Sequence, residues 1–141
     1  MATGGTYVLE IAVTDPIVVE VGALGTLEFS AETYAYVGSA FGPGGFSRVD
    51  RHRELARGDR DVRHWHVDYL LGHPRTRLES VVTLPGEDRE CELTARLPGE
   101  SISGFGASDC GCEAHLLAVT DRDRFLEQCE RVGGERSVEW D

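Results

Sequence analysis

Residues 34–52 read YAYVGSAFGPGGFSRVDRH. The alternation from Tyr34 to Val37 is that of a strand, ending at Val37-Gly38-Ser39. Gly42-Pro43-Gly44-Gly45 then breaks the chain, and a helix begins near Phe46. Strand parity puts Tyr34 and Tyr36 on one face. Arg48 and His52 are four apart and therefore adjacent on a helix. A glycine-rich turn brings that helix back to the end of the strand. An earlier piece of the same kind, Gly5-Thr6-Tyr7, heads the first strand. Tyr7, Tyr36, Arg48 and His52 are thus candidates for one polar site. Tyr34 reads as packing, since a strand tyrosine buries an apolar ring and needs only its hydroxyl at an edge.

Working outward, residues 5–14 read as a strand with Tyr7, Leu9, Ile11 and Val13 on one face and Val8, Glu10 and Ala12 on the other. Asp15-Pro16 is a turn, because proline fixes φ and donates no N–H. Short strands are expected over 17–21 and 26–29, so that the first forty residues make one small antiparallel sheet. Helices are expected over 46–57, with Phe46, Val49 and Arg53 on one side, and over 63–73. A strand over 77–84, a helix over 87–97 and a glycine-rich connector over 101–111 follow. A strand over 115–119 precedes a last helix, capped by Asp121 and ended by Gly133-Gly134. This order makes a mixed α/β domain, an antiparallel-rich central sheet flanked by helices. It is expected to span residues 1–133, with 134–141 as a tail.

The chain has 141 residues, with 25 acids against 14 bases and a net charge of -11. All the bases are arginines, and there is no lysine. Either a soluble acidic surface or adaptation to a salt-rich, halophilic cytoplasm accounts for the carboxylates. A GC-rich genome would also favour arginine over lysine. No run of ~18 apolar residues offers a membrane span. MATGGTYVLE lacks the basic and apolar regions of a signal segment, so a cytoplasmic location is expected. Charge is distributed unevenly. Residues 1–35 hold five acids and no base, whereas residues 46–66 hold six arginines, four acids and three histidines. The net-positive stretch contains the candidate site, and Arg48, Arg51 and Arg63 would form a positive strip there.

Two further clusters stand out. His64 and Asp68 are helix neighbours at i,i+4, while His64 and His66 point apart; packing and capping by Trp65 and His66 is the alternative. Cys110-x-Cys112-x-x-His115 could hold zinc if Cys91, His66 or His73 completed a tetrahedron. The other readings are a glycine-rich loop with partly buried thiols, or a Cys110–Cys112 disulfide, which a reducing cytoplasm disfavours.

GTYVLEI, YAYVGSAFG, RVDRH, HWHVDYLL, RECEL and ISGFGASDCGCEAHL, taken in order, cover about the first 120 residues. Gly5-Thr6-Tyr7, Tyr36-Val37-Gly38 and Arg48 resemble the GIY-YIG nuclease superfamily. More narrowly, the whole set is similar to the small DUF123 family, related to the Uri branch. The resemblance implies a GIY-YIG-like fold and hydrolysis of phosphodiesters with one divalent ion, Mg2+ or Mn2+. It implies DNA, or RNA, as partner, a link to repair, and a functional association with endonuclease III-type glycosylases. By the same likeness, Tyr7 orders the site and relays a proton. Tyr36 acts as base or positions water, Arg48 steadies the phosphate, and His52 supports them. Gly38 lets backbone approach the substrate. Gly38, Ser39, Arg51, His64 and His66 would border the nucleic acid. Glu90, three before Leu93, would be the metal ligand, with Glu92 as the alternative. Thr6 and Val37 stand where the family motif has isoleucine. The chain has no asparagine, although many of these nucleases carry one near the domain end. That absence and the acidic body support the alternative function, a catalytically weak or inactive nucleic-acid- or protein-binding module.

Overall fold

A computed structural model gives the fold. It describes residues 4–21, 25–30, 32–39, 46–57, 66–73, 75–86, 100–101, 116–119, 121–131 and 133–138. The strands are β1 (Gly5–Val13), β2 (Ile17–Glu20), β3 (Thr26–Phe29), β4 (Thr33–Ser39), β5 (Thr76–Pro85), β6 (Glu100–Ser101), β7 (Leu116–Val119) and β8 (Glu135–Val138). The described helices are α1 (Ser47–Arg57), α2 (His66–Leu71) and α3 (Arg122–Arg131). Six strands form one sheet in the order β6-β7-β4-β1-β5-β8. Every pairing in it is antiparallel. The mixed α/β domain with an antiparallel-rich sheet is therefore present.

β1 lies between β4 and β5, and its alternation sorts the two cores. Tyr7, Leu9, Ile11 and Val13 join Tyr34, Tyr36, Val49, Leu55, Val67, Leu70 and Leu71 in one buried cluster. Val8 joins Val37, Val82, Leu84, Leu117, Phe125 and Cys129 in the other. Helices α1 and α2 thus cover the tyrosine face and α3 covers the reverse. Each fully buried aliphatic or aromatic side chain contributes about 1.5–3 kcal/mol of apolar transfer.

Four expectations change. β2 and β3 pair only with each other, as a separate two-stranded sheet. Their inner residues Ile17, Val19 and Phe29 pack into the tyrosine-face core, so the first forty residues do not form one sheet. The inner side of α1 runs through Val49, His52 and Leu55, while Arg53 pairs with Asp50 at 2.7 Å. Residues 135–138, expected as tail, are β8 and extend the sheet beside β5. Ser101, expected in a connector, belongs to β6 and pairs with Leu117. The helix expected over 87–97 lies outside the described residues.

The last helix ends where expected. Asp121 Oδ1 accepts the Arg124 N–H at 3.1 Å and caps α3. Gly133, at φ +84°, lets its own N–H reach the Glu130 carbonyl and the Gly134 N–H reach that of Cys129. That reversal sends the chain into β8. Among the described residues, no helix is long and apolar enough to cross a membrane.

Candidate functional site

Antiparallel register builds the site's floor. Tyr7 on β1 lies directly opposite Gly38 on β4, and Leu9 lies opposite Tyr36. A Cβ on Gly38 would fall 2.4 Å from Tyr7 Cζ. The missing side chain at position 38 therefore makes room for the Tyr7 phenol itself. That is a packing reason for this glycine, different from the expected approach of backbone to substrate.

Helix α1 closes the floor from above. Its inward face delivers His52, which is fully buried. The Tyr7 hydroxyl and His52 Nε2 are 2.8 Å apart. Ring centroids are 5.5 Å apart for Tyr7 and His52, 6.4 Å for Tyr7 and Tyr36, and 6.3 Å for Tyr36 and His52. Three of the four residues expected to converge thus form one cluster. The cluster is closed: Tyr7 is 1% exposed, His52 0% and Tyr36 6%.

Helix α2 supplies the next partner. Asp68 is fully buried, with Oδ1 3.6 Å from His52 Nδ1 and Oδ2 3.1 Å from an Arg51 guanidinium nitrogen. Arg51 and His52 are consecutive in α1, so one carboxylate on α2 holds two neighbouring side chains of α1. The spacing His64/Asp68 had pointed to a different partner; His64 lies outside the described residues. Arg48 sits in the first turn of α1, four residues ahead of His52. The side chains of Arg48, Ser39 and His66 lie outside the described residues, as do Glu90, Glu92, Cys110, Cys112 and His115.

Tyr34, on the same face, is differently employed. Its hydroxyl donates to the Ser30 carbonyl at 3.2 Å, and its ring meets Phe29 edge-on with centroids 5.4 Å apart. Burial, aided by nearby Glu32 and opposed by the bond to Ser30, raises its pKa above the ordinary 10.0. This tyrosine fastens β4 to the β2–β3 hairpin.

A second polar cluster lies across the sheet, and the sequence reading did not find it. Glu10 is fully buried in β1. It accepts from the Ser80 hydroxyl at 2.7 Å, from Arg122 Nε at 2.5 Å and from Arg136 at 3.2 Å. Burial pushes the Glu10 pKa up, but the hydrogen bonds from Arg122, Ser80 and Arg136 and the Arg122 charge outweigh it, leaving it below 4.5. The Glu10 bond and charge raise the Arg122 pKa against the opposing effect of burial. A glutamate inside the apolar run GTYVLEIAV was the available signal.

The described residues contain no group of three His, Cys, Asp or Glu side chains that could hold a metal ion. Glu10 and Asp68 are already engaged with cations, so neither fits that role. What the tyrosine face offers is two phenols and an imidazole, groups able to pass a proton, shielded from water and backed by a carboxylate.

A family model described as "Domain of unknown function DUF123" matches residues 6–137. No curated protein and no solved structure matches the chain.

Proposed function

We propose that this chain, which belongs to the DUF123 family, is an endonuclease-like protein that hydrolyses DNA phosphodiesters with a divalent ion and is linked to repair. The supporting observation is the convergence of Tyr7, Tyr36 and His52 under α1, the helix that also carries Arg48. The likeness of the GTY and YVG triplets to GIY-YIG nucleases gives that cluster its chemical reading. Arg48 steadies charge on the phosphoryl group as it transfers. Tyr36, the least buried of the three rings, positions or deprotonates the attacking water. Tyr7 and His52 are more deeply buried and pass the proton inward. Mg2+ or Mn2+ belongs to this proposal through Glu90, with Glu92 as the alternative; when bound it would supply positive charge to the phosphodiester.

A second reading has its own observation. Tyr7 and His52 are almost wholly buried, which suits a binding module that keeps the cluster as structure and cuts weakly or not at all. Nucleic acid or protein would then be its partner.

The two readings separate in one assay. Purified protein is incubated with branched or flapped DNA, and with RNA, in Mg2+ or Mn2+ at low and at molar salt. Salt weakens phosphate contacts steeply, whereas an acidic fold adapted to salt needs it, so both regimes are required. Weak metal-dependent hydrolysis is expected. Folded protein that cuts nothing in either regime contradicts the nuclease reading and leaves the binding module.

A further inference from the structure

The 2.8 Å contact between the Tyr7 hydroxyl and His52 Nε2 joins two groups that can each donate or accept. Distance alone leaves its direction open, and the far side of the imidazole decides it. Asp68 Oδ1 faces Nδ1 at 3.6 Å, beyond hydrogen-bond length but well within Coulomb range. Both groups are fully buried, so water does little to screen them. The other carboxylate oxygen is engaged by Arg51 at 3.1 Å. An ionised carboxylate only accepts. A lone pair on Nδ1 would therefore face negative charge, whereas a proton there is attracted to it.

We propose that Asp68, itself held by Arg51, keeps His52 with its proton on Nδ1, so that the Tyr7 hydroxyl donates to Nε2. Asp68 is then a positioning residue that acts through His52. The phenolic proton then points at a base, the imidazole Nε2. When Tyr7 gives up its proton, His52 becomes an imidazolium and Asp68 balances its charge. If the imidazole held its proton on Nε2, Tyr7 would be the acceptor and could not pass a proton to it. The role in proton transfer rests on the nuclease reading; the direction of the hydrogen bond does not.

The test is a two-bond nitrogen–proton correlation spectrum of the imidazole in uniformly 15N-labelled full-length protein at neutral pH. His52→Gln identifies the resonance by its loss. The parent is expected to show a protonated Nδ1 and a bare Nε2. Asp68→Asn should shift the ring toward the opposite tautomer, and Asp68→Glu should restore the parent pattern. Tyr7→Phe should leave the proton on Nδ1. A proton on Nε2 in the parent, in the other tautomer or in the imidazolium, overturns the proposal, and so does a folded Asp68→Asn protein with an unmoved spectrum. Should Asp68→Asn fail to fold, the parent spectrum still decides. A parent with the expected tautomer that cuts no nucleic acid keeps this inference and removes only the nuclease reading.

Discussion

Glu10 and Asp68 are both fully buried carboxylates, one on each side of the same sheet, and their partners lead in opposite directions. Those of Glu10 lead outward. The side chains of Arg122 and Arg136 remain 48% and 35% exposed, so each guanidinium meets the carboxylate at one end and water at the other. Of the partners of Asp68, Arg51 holds one oxygen, while His52 leads inward to the buried Tyr7 phenol. Arginine keeps its proton in proteins, whereas histidine and tyrosine can exchange theirs. The first arrangement is therefore a clamp that ties α3 and β8 to the central strand. The second has the parts of a proton path. Burial of a charge says little about its use until the partners are named.

The largest expected effect comes from breaking the clamp. Arg122→Ala combined with Arg136→Ala leaves Glu10 buried with Ser80 alone. Unfolding free energy in urea should fall by about 3–5 kcal/mol. A loss under about 1 kcal/mol would mean that water reaches Glu10 and that no clamp exists. The pH dependence has a definite sign. The folded Glu10 pKa lies below the ordinary 4.5, so the unfolded chain binds that proton more readily. The stabilisation is thus present above 4.5 and is lost as pH falls through the lowered folded value. The gap between parent and double variant should therefore narrow on acidification.

A smaller effect is expected at the floor of the tyrosine cluster. Gly38→Ala places a methyl group where the Tyr7 ring lies. The ring must move, at a cost of about 1–3 kcal/mol, and its bond to His52 should lengthen. Unchanged stability in thermal or urea unfolding would show that the ring is not confined there.

The smallest effect, close to none, is expected at Cys129. The residue is 3% exposed, and burial, reinforced by Glu10 and opposed by Arg136, pushes its pKa to about 12. Alkylation at neutral pH, followed by peptide mass mapping, should leave Cys129 unmodified until the fold opens. Reaction at the rate of unfolded chain would place it outside the clamp's side of the core.

Much of this was legible in the sequence, and its limits are physical. The period-2 alternation of residues 5–13 sorted Tyr7 from Glu10 correctly, because side-chain parity is local. The Asp121 cap and the glycine stop of α3 are local too. Partners far apart in sequence were not legible. Glu10 meets Arg122 and Arg136, 112 and 126 residues away, and no spacing rule reaches that far. The i,i+4 rule tied Asp68 to His64 because a helix reports only its own neighbours; the contact with α1 depends on how two helices settle on a sheet. Gly38 was marked for the approach of substrate; its packing reason, the register opposite Tyr7, was not legible. β8 looked like a tail because Glu135-Arg136-Ser137-Val138 is a polar edge strand with one apolar residue.

The two sides of the sheet are separated most directly by one cleavage measurement: Mn2+-dependent hydrolysis of flapped DNA by the parent, Arg48→Ala and Glu10→Gln, each assayed where it is folded. Arg48→Ala is predicted to cut ~10²-fold more slowly or worse, because it loses charge stabilisation that counts mainly in the transition state. Glu10→Gln is predicted to cut at the parent's rate. Arg48→Ala cutting as well as the parent would contradict the assignment of function to the tyrosine face.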